Sequence, residues 1–183
     1  MARCIPSACS KALLGASLLL GPALANPWQQ ARFPVPQFSG YTSHYGLRSS
    51  ASGGSSLHRG LDIAAPLGSP VLSWWAGRVE RLINDGSCGI GVAIRSGPYE
   101  HLYCHLQGTI EQDTLRSGGA SLRQGSWLRT GEPLGAIGVS GRSSGPHLHW
   151  GVKLNERWLD PVLLLRAMAD ARRVETPISQ ARP

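Results

Sequence analysis

Short β-type segments separated by glycine-containing turns constrain this chain more than any other feature. The segments follow one another too closely for the crossover connections of parallel strands, and no helical periodicity lies between them. They are therefore expected to pair antiparallel and to form a mainly β domain, a small antiparallel sheet or sandwich. The predicted strands are Leu61–Ala64, Pro70–Trp75, Arg78–Asn84, Ile90–Arg95, Glu100–Leu106, Glu132–Val139 and Leu148–Leu154.

Composition agrees with a β domain and excludes two other classes. Glycine occupies 23 of 183 positions, which suits many turns, and charged residues make up only 16 %. A coiled coil needs charged residues beside its seam, and an acidic disordered chain needs high negative charge, so neither class fits. The formal net charge of +7 favours anionic surroundings, but the basic residues are dispersed. No nucleic acid partner is therefore expected.

Residues 1–25 have the pattern of a signal peptide. Arg3 and Lys11 are basic, Ala12–Leu20 is apolar, and Ala23–Ala25 supplies a small-x-small cleavage pattern. The apolar run is shorter than the roughly 20 residues that span a bilayer, although a retained N-terminal anchor is the alternative. The prediction is an exported protein of the periplasm, the cell wall or the extracellular space, with no membrane span after cleavage.

The rest of the chain divides into three parts. Residues 26–40, rich in proline and glutamine, are expected to form an extended leader, and residues 41–165 the folded domain. A helix is predicted after Asp160, which suits an N-cap position, with Pro161 at the first helical position. Residues 166–183 are assigned to the end of this helix and a disordered tail.

Two cysteines remain after signal cleavage. Cys88 precedes one predicted strand and Cys104 lies in the next, so a hairpin about residues 96–99 would bring them close together. An exported protein favours a disulfide between them, and two buried free thiols are the alternative.

Histidines and one aspartate form two suggestive motifs. His58 and Asp62 form an H-x-x-x-D pattern, which a bend can direct at one point, and both side chains are suitable zinc ligands. This motif alone is weak evidence. His147 and His149 stand at i and i+2 on a predicted strand and therefore face the same side. Two surface histidines on an edge strand are the alternative for this pair.

A third strand carries further histidines. Period-two alternation places His101, Tyr103 and His105 on one face, which could line a groove, and Leu102, Cys104 and Leu106 on the other. His101 is then expected to touch substrate or, more simply, solvent.

Three segments together resemble one known family. They read HRGLDIAAPLGSPV, YEHLYCHL and SGPHLHWGV. In order and spacing they are similar to the lysostaphin/LytM-type zinc endopeptidases, which cleave peptidoglycan cross-bridges and have a duplicated-hybrid-motif-like fold. The resemblance runs from about Tyr41 to Leu165 and includes the closing segment NERWLDPVLLL.

The resemblance implies a site and a mechanism. His58, Asp62 and His149 correspond to the three ligands of a Zn²⁺ ion, with water as the fourth ligand, in a groove across the sheet. His105 and His147 correspond to two non-ligand catalytic histidines. One would carry the proton of the zinc-activated water to the leaving amine, and the other would help to stabilise the oxyanion. The order of these two roles stays open.

The resemblance also implies partners and alternatives. The expected substrates are peptidoglycan peptide stems and cross-bridges, acted on by a monomer. Glycyl-glycine, D-alanyl-glycine and D-alanyl-diaminopimelate bonds all remain candidates, as does either type of bacterial envelope. Residues 108–128 are expected to form one groove wall, Arg48 is expected to support the site, and occlusion by residues 26–40 stays open. The alternatives are a catalytically silent amidase activator and a peptidoglycan-binding module.

Overall fold

The structure is a computed structural model that describes residues 26–49 and 54–173. The predicted signal peptide and the predicted disordered tail lie outside these residues. Among the residues described, fifteen strands, one 3-10 turn (Pro27–Gln29) and one α-helix form a mainly β fold with a C-terminal helix, which confirms the predicted class. The strands are β1 (Gly40–Ser43), β2 (Gly46–Ser49), β3 (Ser55–His58), β4 (Leu61–Ala64), β5 (Pro70–Leu72), β6 (Gly77–Asp85), β7 (Gly89–Ser96), β8 (Tyr99–Cys104), β9 (Thr109–Glu111), β10 (Thr114–Ser117), β11 (Ala120–Arg123), β12 (Trp127–Leu128), β13 (Pro133–Ala136), β14 (His147–Leu154) and β15 (Arg157–Leu159), and the helix is α1 (Pro161–Arg173).

The main sheet has the strand order β1-β4-β14-β8-β7-β6-β12, with β15 paired to β14. Every pairing in it is antiparallel, as the close spacing of the segments predicts. Strands β7 and β8 form the predicted hairpin, in which Ser96 pairs with Tyr99. Strand β14 lies between β4 and β8, and this position brings the three motif-bearing segments together.

Residues 108–128 form strands that the sequence pattern did not predict. Strands β9, β10 and β11 make a separate three-stranded antiparallel sheet. None of these residues lines the cavity that holds the histidines, so the prediction of a groove wall here is wrong. The segment instead packs inward, with Leu115 fully buried and Leu122 nearly so.

The predicted leader contributes to the core. Ala31 and Val35 are fully buried, and Trp28 packs against Trp74 and Trp75 with ring centroids 6.1 and 5.5 Å apart. Besides the 3-10 turn, the segment has turns at Gln30 and at residues 36–37 and a bend at Pro34, and its first strand begins only at Gly40. Residues 26–40 therefore pack on the domain, and none of them lines the cavity that holds the histidines.

Helix α1 begins as the sequence predicts. The carboxylate of Asp160 accepts a hydrogen bond from the backbone N–H of Val162 at 2.9 Å, and Pro161 occupies the first helical position. Leu164 and Met168 lie on one face of the helix and are buried in the core. In the part of the chain that the structure describes, no helix is long and apolar enough to cross a membrane.

The buried face and the groove-lining face of β8 are reversed relative to the prediction. His101 and Tyr103 are fully buried in the core, whereas Leu102 and Cys104 line the cavity. Each ring nitrogen of His101 lies 2.7 Å from a hydroxyl, one of Ser96 and one of Tyr103. Burial lowers the pKa of His101 to about 3, so the ring is neutral and structural. The prediction that His101 meets substrate or solvent is wrong.

Candidate active site

Strands β3, β4 and β14 bring one side chain each to a common point. His58 ends β3, Asp62 lies in β4, and His149 lies directly opposite Asp62 in the β4–β14 pairing. His58 Nε2 is 3.0 Å from Asp62 Oδ1 and 2.9 Å from His149 Nδ1, and His149 Nδ1 is 2.9 Å from Asp62 Oδ1. The three atoms thus form a nearly equilateral triangle.

The donor chemistry of this triangle fits a divalent cation. His58 Nδ1 donates to the backbone carbonyl of His44 at 2.7 Å, so Nε2 of the neutral ring has a lone pair directed at the other two residues. Two imidazole nitrogens and a carboxylate oxygen make three contacts with one another. They do not carry enough protons for every one of these contacts to be a hydrogen bond. These are also ligands that zinc accepts in tetrahedral sites.

Asp62 is held as a carboxylate. Burial favours its neutral form, but the close approach of the His149 and His58 imidazoles outweighs burial and holds the pKa of Asp62 well below its usual range. Arg48 Nη2 contacts the other carboxylate oxygen, Oδ2, at 2.6 Å. This ion pair leaves Oδ1 directed at the two histidines.

Two further histidines stand beside the triangle. His105 Nδ1 donates to the carbonyl of Ser140, and His147 Nδ1 donates to the carbonyl of Gly145, both at 2.8 Å. The two rings are 4.7 Å apart between centroids, and that of His105 is 6.1 Å from that of His149. Because Nδ1 carries the proton in each neutral ring, Nε2 is left as an acceptor.

His105 reaches the groove through its backbone conformation. Its φ of 64° is in the left-handed region, which ends the alternation of β8 and turns the side chain to the same side as Cys104. Burial lowers the pKa of His105, so the imidazole is neutral at pH 7. No pattern in the sequence predicts this backbone angle.

Cys88 and Cys104 form a disulfide next to His105, which confirms the predicted pairing. The bridge joins the end of β8 to the turn between β6 and β7. Both cysteines line the same cavity as the histidines.

The site lies in an open groove with a volume of about 550 Å³. Its lining includes the three triangle residues, both further histidines, and the apolar side chains of Leu102, Ile83 and Trp158. Four arginines also line it. Arg48 pairs with Asp62 and Arg81 with Glu100, whereas Arg59 and Arg142 are exposed and their side chains have no partner among the described residues.

Two imidazole nitrogens and a carboxylate oxygen within 3.0 Å of one another are a donor set suited to hold the catalytic metal of a metallopeptidase. The chain belongs to peptidase family M23, whose family model matches residues 56–161. This membership confirms the resemblance to lysostaphin/LytM-type endopeptidases.

Two curated relatives illustrate the similarity. The chain is 37 % identical over 107 residues to the DD-carboxypeptidase/endopeptidase Mpg of Neisseria meningitidis serogroup B, which covers 58 % of this chain and 22 % of the relative. It is 33 % identical over 99 residues to the peptidoglycan DD-endopeptidase ShyC of Vibrio cholerae, with 54 % and 20 % covered. The chain thus spans about a fifth of the length of these relatives.

Solved structures share the fold. A zinc-containing peptidase from Vibrio cholerae superposes with a TM-score of 0.62 at 27 % identity, covering 76 % of this chain and 39 % of the other. The catalytic domain of lysostaphin from Staphylococcus simulans superposes with a TM-score of 0.57 at 20 % identity, covering 69 % and 92 %, and shows the fold alone.

Proposed function

We propose that this protein is a zinc metallo-endopeptidase that hydrolyses peptide cross-bridges of bacterial peptidoglycan. The observation that carries the proposal is the triangle of His58, Asp62 and His149 beside two acceptor imidazoles in an M23 chain. The relatives named as peptidoglycan DD-endopeptidases support a bond between two D-centres as the target. All five site residues are present, which favours an active enzyme over a silent amidase activator or a binding module.

His58, Asp62 and His149 would hold the zinc ion. When bound, zinc supplies a water molecule of lowered pKa and polarises the scissile carbonyl. Arg48 fixes the carboxylate of Asp62, and the carbonyl of His44 fixes the tautomer of His58.

His105 and His147 would handle the protons. With Nδ1 bound to a backbone carbonyl, each ring is fixed in one orientation and exchanges a proton only at Nε2. Such an imidazole can take a proton from the attacking water and give it to the leaving amine. The second imidazole, once protonated, can donate a hydrogen bond to the developing oxyanion.

The groove suits an anionic peptide. Arg59 and Arg142 have no side-chain partner among the described residues, so both guanidinium groups are available to carboxylates of a stem peptide. Leu102 and Trp158 offer apolar contacts to its aliphatic parts. The disulfide supports an oxidising compartment, and thus export directed by residues 1–25.

Digestion of purified peptidoglycan tests this function. Mass spectrometry should show cross-linked stem-peptide dimers converted to monomers with the gain of one water, while stems stay attached to their glycan strands. A metal chelator should abolish the reaction. Release of stems from glycan would indicate an amidase, and intact dimers would overturn the proposal.

Gly60 gives a local test of the metal site. A Cβ on Gly60 would lie 2.5 Å from Cε1 of His149 and 2.8 Å from the carbonyl oxygen of Trp150, so the imidazole must shift. Gly60→Ala is expected to weaken zinc binding by about 10–100-fold, the size typical of lost outer contacts to a metal ligand. Competition with a chromophoric chelator measures this affinity.

The matched control for this substitution is Gly86→Ala, in a turn where a Cβ would meet nothing within 4 Å. Gly86→Ala should bind zinc like the unaltered protein. Equal affinities for the two variants would contradict the placement of His149 in the metal site.

A further inference from the structure

We propose that the Cys88–Cys104 disulfide is a positioning element for His105, so that hydrolysis requires the disulfide while zinc binding does not. The inference rests on the proposed function of His105. It makes the oxidised form of the protein the active one. A chain that has not yet left a reducing compartment would therefore bind zinc and remain inactive.

The backbone of His105 is held from the disulfide-linked turn. A left-handed φ is uncommon for a non-glycine residue and persists only where neighbouring structure enforces it. The N–H of His105 donates to the carbonyl of Cys88 at 2.8 Å, and the residue before His105 is bridged to Cys88. A hydrogen bond thus ties His105 itself to Cys88, and a covalent bond ties its neighbour Cys104 to the same residue.

The imidazole of His105 depends on the same turn. Its partner, the carbonyl of Ser140, belongs to a segment that packs on the turn: the hydroxyl of Ser140 accepts from the N–H of Ile90 at 2.8 Å, and the N–H of Arg142 donates to Ser87 at 3.0 Å. A Cβ on Gly89, the residue after Cys88, would clash with the backbone of Ser140. The segment and the turn are therefore in direct backbone contact.

The turn is held differently toward β6 and toward β8: its pairing with β6 runs to Asp85 and Gly89. The carboxylate of Asp85 accepts from the N–H groups of Ser87 and Cys88 at 2.8 and 2.7 Å, but these are bonds within the turn. Ladder pairing of β7 with β8 ends at Val92 and Tyr103. Beyond it, two backbone hydrogen bonds remain, from the N–H of His105 to Cys88 at 2.8 Å and from the N–H of Leu106 to Ile90 at 2.9 Å, and the disulfide is the one covalent tie between the turn and β8 in the described residues.

The metal ligands are held by different contacts. His58 is fixed by the carbonyl of His44, and Asp62 by Arg48. His149 lies opposite Cys104 of β8 on one side, but on the other side it is paired with Asp62 of β4, a contact that does not involve the disulfide. Loss of the disulfide should therefore loosen His105 and leave the zinc site intact.

The test compares the oxidised protein with the Cys88→Ser/Cys104→Ser double variant. Because a displacement of about 1 Å can cost 10²-fold in rate, we expect kcat to fall at least 10-fold, with KM changed less than about 2-fold. Zinc content should be unchanged. The control Val35→Ala removes core volume in the N-terminal segment and should lower Tm while leaving kcat unchanged.

Chemical reduction of the disulfide tests the same proposal without any substitution. A trialkylphosphine transfers two electrons to the disulfide, which takes up two protons as two thiols, while the phosphine becomes its oxide with oxygen from water. Activity should fall in the unaltered protein, recover on reoxidation, and not change further in the double variant. Nitrogen NMR of labelled histidine should show the protected Nδ1–H of His105 in the oxidised protein only.

The outcomes separate the two proposals. Unchanged kcat together with an unchanged Nδ1–H signal after reduction would overturn the positioning role. Zinc loss in parallel with activity would overturn it too, since the disulfide would then support the metal site. If the oxidised protein hydrolyses no peptidoglycan, the proposed function fails, while the NMR signal still reports whether the disulfide positions His105.

Discussion

Alanine in place of His149 should abolish both zinc binding and peptidoglycan hydrolysis. His149 Nδ1 is one of three candidate ligand atoms that lie within 3.0 Å of one another, and its removal leaves only those of His58 and Asp62. A catalytic zinc site needs three protein ligands, so two should not retain the ion. Metal analysis after dialysis should give about one zinc per chain for the unaltered protein and nearly none for the variant. Release of soluble fragments from purified peptidoglycan should fall to the background rate.

His44→Ala is the matched control for this substitution. The part of His44 that touches the site is its backbone carbonyl, which alanine keeps, while its exposed imidazole contacts Tyr41. The control should therefore retain zinc and most activity. A His149→Ala protein that still holds one zinc per chain would show that the triangle is not the metal site. Asp62→Asn provides an independent variant if His149→Ala does not fold.

The meeting of the motifs could be predicted from the resemblance to a known family, because local geometry alone left each motif open to another interpretation. The i, i+2 spacing of His147 and His149 requires only that they lie on a strand, and β14 is one. The spacing of His58 and Asp62 requires a bend between them, which Gly60 provides. The structure groups His58, Asp62 and His149 as potential ligands, and their catalytic setting stays a prediction.

Period-two alternation could not predict which side chains of β8 face the groove. The sequence pattern placed His101 and His105 on one face, since they are four residues apart. The structure buries His101 and turns His105 into the groove, because the left-handed backbone at His105 ends the strand. That angle is imposed by contacts with Cys88 and Ser140, which are distant in sequence.

Long-range packing explains the other differences. Residues 26–40 carry no periodicity, yet Ala31 and Val35 are fully buried, because they join a core cluster whose other buried members all come from later in the chain. The strands of residues 108–128 are only two to four residues long. Runs this short give too little alternation for a sequence pattern to detect.

Alanine at His105 or at His147 should reduce kcat by about 10²–10⁴-fold while zinc stays bound, because this is the usual contribution of general acid–base catalysis. Neither side chain belongs to the ligand triangle, although His147 Nε2 lies 3.9 Å from Asp62 Oδ1. The loss should appear in kcat with little change in KM, since the imidazoles act on charges that develop in the transition state. Metal analysis and hydrolysis kinetics on a defined cross-linked peptide measure both quantities.

The double variant distinguishes joint from separate action. If the two imidazoles, whose ring centroids are 4.7 Å apart, serve one proton-transfer step, then losing both should cost little more than losing one. If they act on separate steps, the two losses should multiply. The buried His101 is not a suitable control, because its replacement would disturb the core; His44→Ala again serves, with kcat unchanged. Hydrolysis that survives both single substitutions at the normal rate would show that neither histidine is catalytic, and the triangle alone would then have to account for the reaction.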